Sequence, residues 1–169
     1  MSNHEASERT TGEIVLRDVE EGDLPVFFEQ QLDPDAIHMA AFTHKDPADR
    51  DAFEAHWARI MADDKITTKT ILVDGRVAGS VGCYVEEEFG KPEVTYWLGK
   101  EYWGKGVATR ALSAFTNELK ERPLYGRAAR DNIASIRVLE KCGFSLIGYD
   151  KGFANARGRE IEEAILELK

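Results

Sequence analysis

The sequence predicts an α+β domain, with a mixed, mostly antiparallel sheet of about seven strands and helices on both faces. Two observations carry this prediction. Short strands with a tight hairpin turn dominate the first half, and one strand–helix–strand unit lies in the second half. The chain has 169 residues, of which 43% are apolar, so it can bury one core. We expect residues 1–12 to form a flexible N-terminal segment and residues 13–169 to form a single domain.

The composition argues against several classes of function. The formal net charge is −9 and no basic patch stands out, so nucleic acid is not an expected partner. The negative charge tolerates or attracts a cationic substrate. No segment is long and apolar enough to span a bilayer, which argues against a membrane partner. Cys83 and Cys142 lie in unrelated contexts and, without a signal peptide, predict reduced thiols in a cytoplasmic protein.

The first half of the chain predicts a strand, two helices and a hairpin. These are a strand over Glu13–Arg17, a helix over Glu21–Gln31, a helix carrying Phe53, Trp57, Ile60 and Met61, and paired strands Thr70–Val73 and Val77–Val85. The segment 33–45 contains Pro34 and is expected to be a loop or a helix break. Asp46 or Asp49 is expected to cap the second helix. Asp74-Gly75 is the strongest hairpin signal in the sequence.

The centre of the chain, Pro92–Leu119, changes from the period of a strand to that of a helix. In its first part, Val94, Tyr96 and Leu98 alternate with Glu93, Thr95 and Trp97, which predicts a strand. In its last part, one helical face collects Ala108, Ala111, Leu112, Phe115 and Leu119. Gly104 and Gly106 lie between the two parts. They allow a tight turn and keep side chains out of the path of a ligand.

The rest of the chain predicts three more strands and one helix. A strand over Leu124–Ala129 completes a strand–helix–strand unit, and a strand over Phe144–Tyr149, a turn-rich loop over Gly152–Gly158 and a strand over Ile161–Leu168 close the sheet. The intervening helix is capped by Asp131-Asn132, ends at Gly143 and is expected to bury Ile133, Ile136, Val138, Leu139 and Cys142.

A strand, a glycine turn and a helix start together predict a site for an anion, most directly a phosphate. The first N–H groups of the helix have no intrahelical partners, and the positive end of the helix dipole faces the anion. A dinucleotide-binding motif requires a third glycine where Thr109 stands and an acidic residue after the next strand, and neither is present. A Walker loop is excluded because the chain has no Gly-Lys-Ser/Thr. A tight turn without a ligand is the alternative interpretation.

Two segments of the second half carry a family resemblance. Residues 93–112 read EVTYWLGKEYWGKGVATRAL, and residues 129–144 read ARDNIASIRVLEKCGF. In this order and at this distance they resemble the GCN5-related N-acetyltransferase superfamily, and within it the RimJ/RimL-like branch. The pyrophosphate loop of the superfamily reads Arg/Gln-x-x-Gly-x-Gly/Ala. Gly106 and Ala108 match this loop, and Trp103 takes the Arg/Gln position, a substitution familiar in this branch.

The resemblance implies acetyl-CoA as the donor, and no metal ion is expected. It implies a central strand that a bulge splays from its neighbour, with a backbone that hydrogen-bonds the pantetheine arm. The amides from Gly104 to Thr109 would then hold the pyrophosphate. The residues expected to bind the cofactor are Trp97, Leu98, Gly99, Trp103, Gly104, Lys105, Gly106, Val107, Ala108, Thr109, Asn132 and Ser135, with Arg110 as a further charge partner. Simple helix capping by Asn132, with a solvated Ser135, is the alternative.

Acetyl transfer to an amine calls for a general base, because the attacking amine must be neutral, and the leaving thiolate benefits from an acid. The resemblance points to Glu93 as the base, and a solvated carboxylate at a strand end is the alternative. Many superfamily members place a tyrosine acid on the later helix, where this chain has Leu139. Ser135 on the same helix is the substitute that we expect, with Tyr96 and Tyr149 as weaker options.

The resemblance thus implies an N-acetyltransferase that acts on a primary amine of a protein N-terminus or a small molecule. A CoA-binding regulatory module without catalysis and a silent scaffold are the alternatives. His38 and His44 fall in the segment that shapes the acceptor pocket in this family. These motifs do not specify the acceptor, and a homodimer is the oligomeric state to test.

Overall fold

The computed structural model describes residues 12–86 and 90–169, which form one mixed sheet with helices. The strands are β1 Ile14–Asp18, β2 Thr67–Val73, β3 Arg76–Glu86, β4 Lys91–Leu98, β5 Leu124–Ala129, β6 Ser145–Ala154 and β7 Arg159–Leu168. The helices are α1 Leu24–Gln30, α2 Pro34–Ala40, α3 Arg50–Ala62, α4 Val107–Glu118 and α5 Ile133–Lys141, with short 3₁₀ turns at Glu21–Asp23 and Lys100–Tyr102. The predicted flexible segment, residues 1–12, lies outside the described residues except for Gly12.

The order of the strands is β1-β2-β3-β4-β5-β7-β6. β4 and β5 are parallel, and every other neighbouring pair is antiparallel. The predicted α+β class, with seven strands and one parallel connection, is therefore confirmed. The hairpin at Asp74-Gly75 is confirmed too, with φ of +51° and +79° at its two central residues. Positive φ at both positions is the mark of a type I′ turn, which suits the twist of the flanking strands.

The segment 33–45 was expected to be a loop or a helix break, and this was wrong for its first part, which forms α2. The side chain of Asp33 accepts hydrogen bonds from the amides of Asp35 and Ala36, and Pro34 occupies the first helical position. Asp followed by Pro is a start signal for a helix, because proline lacks only an N–H that the first turn leaves unpaired anyway. Of the two caps considered for α3, Asp49 is the one used.

Two details of the second half also differ from expectation. Ile133 was expected to be buried but is 52% exposed, because it is the first residue of α5 and precedes the packed face. β6 continues to Ala154, so the turn before β7 is shorter than predicted. Its residues pair with β7 as far as Ala154 and Arg159, and this pairing makes Gly152 part of a strand.

Helices cover both faces of the sheet. On one face, α4 and α5 pack against the main core, which includes Val94, Leu98 and Leu166 from the sheet and Leu112 and Phe115 from α4. On the other face, α1 and α3 enclose a smaller aromatic core. The indole of Trp97 donates to the carbonyl oxygen of Gln30 at 3.3 Å and so joins β4 to α1 on this second face.

β4 and β5 separate soon after they meet. Their register pairs Glu93 with Tyr125 and Val94 with Gly126, and within the described chain no later residue of β4 has a partner on β5. On its other side, β4 pairs with β3 without a shift in register from Lys91 to Leu98. The expected opening next to the central strand is present, and it arises from separation on the β5 side. The described residues of β3 and β4 show no bulge in their pairing.

Candidate active site

The glycine turn lies at the end of β4 and is open to solvent. Gly104 and Gly106 have φ of +72° and +77°, a region in which residues other than glycine are strained. A Cβ atom placed on either glycine would have no other atom within 4 Å. Space therefore exists directly above the backbone of the turn, where a ligand could approach the peptide groups.

The first turn of α4 supplies amide donors to this space. Gly106 is the N-cap and offers no side chain, and the first hydrogen bond of the helix runs from the Arg110 amide to the Gly106 carbonyl oxygen at 3.1 Å. The amides of Val107, Ala108 and Thr109 consequently have no partner within the helix. Lys105 and Arg110 are exposed beside them. This donor set fits a phosphate group, and hence the pyrophosphate of a CoA-type ligand.

The ladder between β3 and β4 shows which peptide groups of β4 face the opening. The Gly99 amide donates to the carbonyl oxygen of Ala78 at 2.9 Å. Because every second residue of an antiparallel ladder bonds the same neighbour, Trp97 also bonds toward β3, and the peptide groups of Tyr96 and Leu98 point to the β5 side. Of the three strand residues expected to bind pantetheine, Leu98 thus faces the opening, and Tyr96 joins it.

Trp103 connects the turn to this strand. Its indole Nε1 donates to the carbonyl oxygen of Leu98 at 3.0 Å, while the ring stays 38% exposed. Arg or Gln at this position would offer a flexible donor to a ligand. Trp103 instead uses its one donor within the protein.

Glu93 lies in a polar cluster on the α1–α3 face of the sheet, with its side chain only 13% exposed. Tyr84 donates its hydroxyl to Glu93 Oε2 at 2.8 Å, and Arg127 Nε lies 3.3 Å from Oε1. Arg127 also pairs with Glu163 at 3.1 Å and with Asp150 at 3.4 Å. One guanidinium therefore serves three carboxylates, and the solvated strand-end carboxylate that we considered as an alternative does not describe Glu93.

The electrostatics of this cluster follow from burial and from its excess of negative charge. Burial raises the pKa of Glu163, Arg127 opposes the shift, and the charges of Glu93 and Asp150 add to it. Burial also raises the pKa of Tyr84, as does the neighbouring Glu93 carboxylate. Tyr84 is therefore a stable hydrogen-bond donor to Glu93 at neutral pH.

Ser135 lies on the opposite side of the sheet from Glu93. It is in the first turn of α5, and its Oγ lies 3.0 Å from the hydroxyl oxygen of Tyr96. Glu93 and Tyr96 are three residues apart on one strand, so their side chains leave opposite faces. The structure thus does not bring the two expected catalytic residues together. Burial raises the pKa of Tyr96, while the bond to Ser135 lowers it in part.

Asn132 caps α5 and also holds α2. Its Oδ1 accepts the Ser135 amide at 3.2 Å, and its Nδ2 donates to the carbonyl oxygen of Met39 at 3.2 Å. Arg157 holds the same end of α2 by donating to the carbonyl oxygen of His38 at 2.9 Å. Its guanidinium also forms two hydrogen bonds to Asp131 at 2.8 and 3.0 Å, and its side chain is 5% exposed. These contacts fix α2 as a wall beside the opening.

The remaining candidates lie at the edges of the site. His38 is exposed on α2, and Nδ1 of His44 accepts the Asp46 amide at 3.1 Å in a local turn. Tyr149 lies on β6 with its ring 4.2 Å from the guanidinium of Arg130. Cys83 is buried, and burial raises its pKa to about 11, while Cys142 donates to the carbonyl oxygen of Thr109 at 3.4 Å. Neither thiol is disposed as a nucleophile.

Sequence reasoning missed Tyr84, Arg127, Glu163 and Arg157. Tyr84 was within reach, because both strands were predicted and the antiparallel register of β3 and β4 places Tyr84 opposite Glu93. No such signal existed for Arg127 and Glu163. Arg127 lies on β5, which pairs with β4 in parallel, and Glu163 lies on β7, a strand from the end of the chain that pairs with β5. Arg157 follows β6 in a turn, and its contacts with α2 join residues that are far apart in the sequence.

The described residues contain no group of three or more His, Cys, Asp or Glu side chains placed to hold a metal ion. Within residues 12–86 and 90–169, every helix is too short or too polar to cross a membrane.

Comparison with solved structures shows that other proteins share this fold. The chain is similar to the microcin C7 self immunity acetyltransferase MccE in complex with acetyl-CoA and AMP, with 20% identity, a TM-score of 0.75, and coverage of 94% of this chain and 96% of that one. It is also similar to Mycobacterium smegmatis RimJ in complex with CoA-disulfide, with 19% identity, a TM-score of 0.76, and coverage of 94% and 82%. At these identities the likeness shows the fold.

Comparison of sequences gives the family. The chain is similar to the uncharacterized N-acetyltransferase p20 of Bacillus licheniformis, with 30% identity over 98 residues, which is 54% of this chain and 54% of that protein. The chain thus spans about half the length of this curated relative. The family model described as the acetyltransferase (GNAT) domain matches residues 13–145. This match covers most of the chain, and the protein therefore belongs to the GNAT acetyltransferase family.

Proposed function

We propose that this protein is an acetyl-CoA-dependent N-acetyltransferase that acts on a primary amine of a protein N-terminus or a small molecule. One observation carries the proposal: an open glycine turn and the uncapped start of α4 lie at the end of a strand that has separated from its parallel neighbour. Such a turn offers amide donors to a pyrophosphate, and such a strand offers peptide groups to an extended amide-bearing arm.

The donor would bind along β4. The amides of Val107, Ala108 and Thr109 would hold the pyrophosphate, with Lys105 and Arg110 as charge partners. The peptide groups of Tyr96 and Leu98 would bond the pantetheine arm in place of a neighbouring strand. The bound thioester supplies the activated acetyl group, and the residues of the chain hold it and the amine together, which alone lowers the barrier.

Acid and base would act from the two faces of the sheet. Glu93 would accept the proton of the attacking amine, directly or through water, and Tyr84 and Arg127 hold its carboxylate in place. Ser135 would donate a proton to the departing sulfur from the α5 side. Because Glu93 and Ser135 lie on opposite faces of the sheet, the reaction centre would lie between them, in the opening between β4 and β5.

The RimJ/RimL-like branch is our proposal for the subfamily. It is supported by Trp103 in the turn, and RimJ is among the similar structures. A protein N-terminus is one acceptor that this branch suggests. A cytoplasmic location and a homodimer belong to the same proposal, and size-exclusion chromatography with light scattering tests the oligomeric state.

Isothermal titration with acetyl-CoA tests the donor site. We expect binding by the wild type and loss of binding in Gly106→Glu, because the new carboxylate would stand where the pyrophosphate lies. Gly75→Glu is the matched control, since Gly75 also has a positive φ and open space around it but lies in the β2–β3 hairpin. Absence of binding by the wild type, or equal affinity of both variants, would refute the assignment.

A further inference from the structure

Two hydroxyl groups meet across the opening between β4 and β5. Tyr96 projects from β4, and Ser135 lies on α5, which follows β5 in the chain. Their oxygens are 3.0 Å apart. Tyr96 is two residues beyond Val94, the last residue of β4 that pairs with β5. The pair therefore joins β4 to α5 on the α4–α5 side, next to the point where β4 and β5 separate.

Leu139 cannot act as the acid for the leaving thiolate, so the hydroxyl pair is the candidate for that role. It is the α5 residue at which many superfamily members carry a tyrosine, but here it is 3% exposed and belongs to the main core. Its side chain packs so closely over Gly126 that a Cβ atom on that glycine would lie 2.6 Å from Leu139 Cδ2. The phenol nearest to α5 in this region comes instead from the central strand, at Tyr96.

A count of protons shows what the pair can donate. Each hydroxyl has one hydrogen, and the bond between the two oxygens uses one of them. One hydrogen is left to donate outward. A phenol is a better donor than an aliphatic alcohol, so the arrangement with Tyr96 donating and Ser135 accepting leaves the Ser135 hydrogen free.

We propose that Tyr96 is a positioning residue that orients the Ser135 hydroxyl toward the departing sulfur. This inference rests on the proposed acetyl transfer. The amine loses one proton as the new C–N bond forms. As the C–S bond breaks and its electron pair goes to sulfur, Ser135 gives its proton to that sulfur and receives the proton of Tyr96. Glu93, which accepts the proton of the amine, releases it to solvent, and Tyr96 regains a proton from solvent, so the transfers balance.

Kinetics of Tyr96→Phe, Ser135→Ala and the double variant test the proposal. The acceptors are spermidine and a peptide with an N-terminal alanine, and the one that the wild type acetylates better is used. Tyr96→Phe keeps the ring and removes one oxygen. We expect kcat to fall about tenfold, less than the roughly 100-fold minimum of a direct acid–base contribution, with the KM for acetyl-CoA within about twofold of wild type. Tyr125→Phe is the matched control, because the Tyr125 hydroxyl donates to Glu167 away from the opening, and it is expected to keep wild-type kcat.

The double variant separates a relay from two independent effects. If Tyr96 acts through Ser135, the double variant is no slower than Ser135→Ala alone, because the second change removes nothing further. Additive losses would mean that Tyr96 acts by another route. Wild-type kcat in Tyr96→Phe would equally overturn the inference and leave the proposed acetyl transfer intact.

Titration of bound CoA gives a second readout that needs no acceptor. The thiolate absorbs in the ultraviolet, and we expect the bound thiol to ionise at lower pH in the wild type than in Tyr96→Phe, because the oriented Ser135 donor stabilises the thiolate. A Tyr96 that only packs the helix would leave this ionisation unchanged. If the wild type binds no CoA, the proposed function and this inference both fail. If it binds CoA and turns over but the thiol titrates identically in both proteins, only this inference fails.

Discussion

The indole nitrogen of Trp103 donates a hydrogen bond to the carbonyl oxygen of Leu98 and thereby ties the glycine turn to the last residue of β4. The two parts of the proposed donor site, turn and strand, are held at a fixed distance by this bond. Trp103 therefore contributes to the site by holding the glycine turn against the end of β4. A ligand need not touch its nitrogen.

Trp103→Phe isolates this bond, because phenylalanine keeps an aromatic ring and lacks the donor. A single hydrogen bond contributes about 0.5–1.5 kcal/mol, so we expect the affinity for acetyl-CoA to fall about three- to tenfold. Titration calorimetry measures the change. Trp57→Phe, in the aromatic core of the α1–α3 face, is the control and is expected to bind acetyl-CoA normally. Unchanged affinity in Trp103→Phe would show that the turn holds its position without the indole.

Glu93→Gln tests the base. The amide keeps the shape of the side chain and cannot take a proton, so we expect kcat to fall about 100-fold, with acetyl-CoA affinity nearly unchanged. Steady-state rates over a range of pH give the result. Glu167→Gln is the control, since Glu167 also accepts a tyrosine hydroxyl, from Tyr125 at 3.0 Å, but lies away from the opening. Full activity of Glu93→Gln at every pH would remove this carboxylate from the mechanism.

Arg157 is expected to affect binding of the acceptor rather than binding of the donor. Arg157→Ala removes the contacts that hold α2 and the start of α5, so the carbonyl oxygen of His38 and the carboxylate of Asp131 lose the guanidinium that they share. We predict a higher KM for the acceptor and an unchanged Kd for acetyl-CoA, together with about 1–3 kcal/mol lower stability. Arg159→Ala, on an exposed neighbour, serves as control. A loss confined to stability would assign Arg157 a purely structural role.

Asp23 is expected to govern stability in acid. It is 3% exposed, and although burial alone would raise its pKa, hydrogen bonds from Arg17, the Glu20 amide and Thr70 lower the pKa to about 2, below the usual 3.8. A carboxyl whose pKa is lower in the folded state stabilises the protein above its unfolded pKa and loses that effect as the pH falls through its folded pKa.

We therefore expect Asp23→Ala to lower the free energy of unfolding by about 3 kcal/mol at neutral pH, because Arg17, the Glu20 amide and Thr70 lose the buried carboxylate that they share. The difference from wild type should shrink between about pH 4 and pH 2. Urea unfolding at several pH values measures it. Asp18→Ala removes an exposed carboxylate paired with Lys69 and is expected to change stability little. A difference independent of pH would point to packing instead of charge.

Local patterns were enough to predict most elements of this protein and the position of its glycine turn. The period change around Gly104 and Gly106 located the turn, and Asp74-Gly75 located a hairpin, because each depends on neighbouring residues alone. The surroundings of Glu93 could not be predicted in the same way. Arg127 reaches Glu93 only through the register of a parallel pair, and Arg157 reaches α2 only once the final hairpin has folded, so both contacts depend on the complete topology.

The parting of β4 and β5 after two paired positions has a mechanical consequence. Strands β1–β4 on one side and β5–β7 on the other share few backbone bonds at this seam, which makes it the weakest line across the sheet. A donor bound along β4 would connect the two parts of the sheet across this seam. The protein would then be stiffest while a donor is bound, and amide hydrogens of β4 and β5 would exchange more slowly in that state.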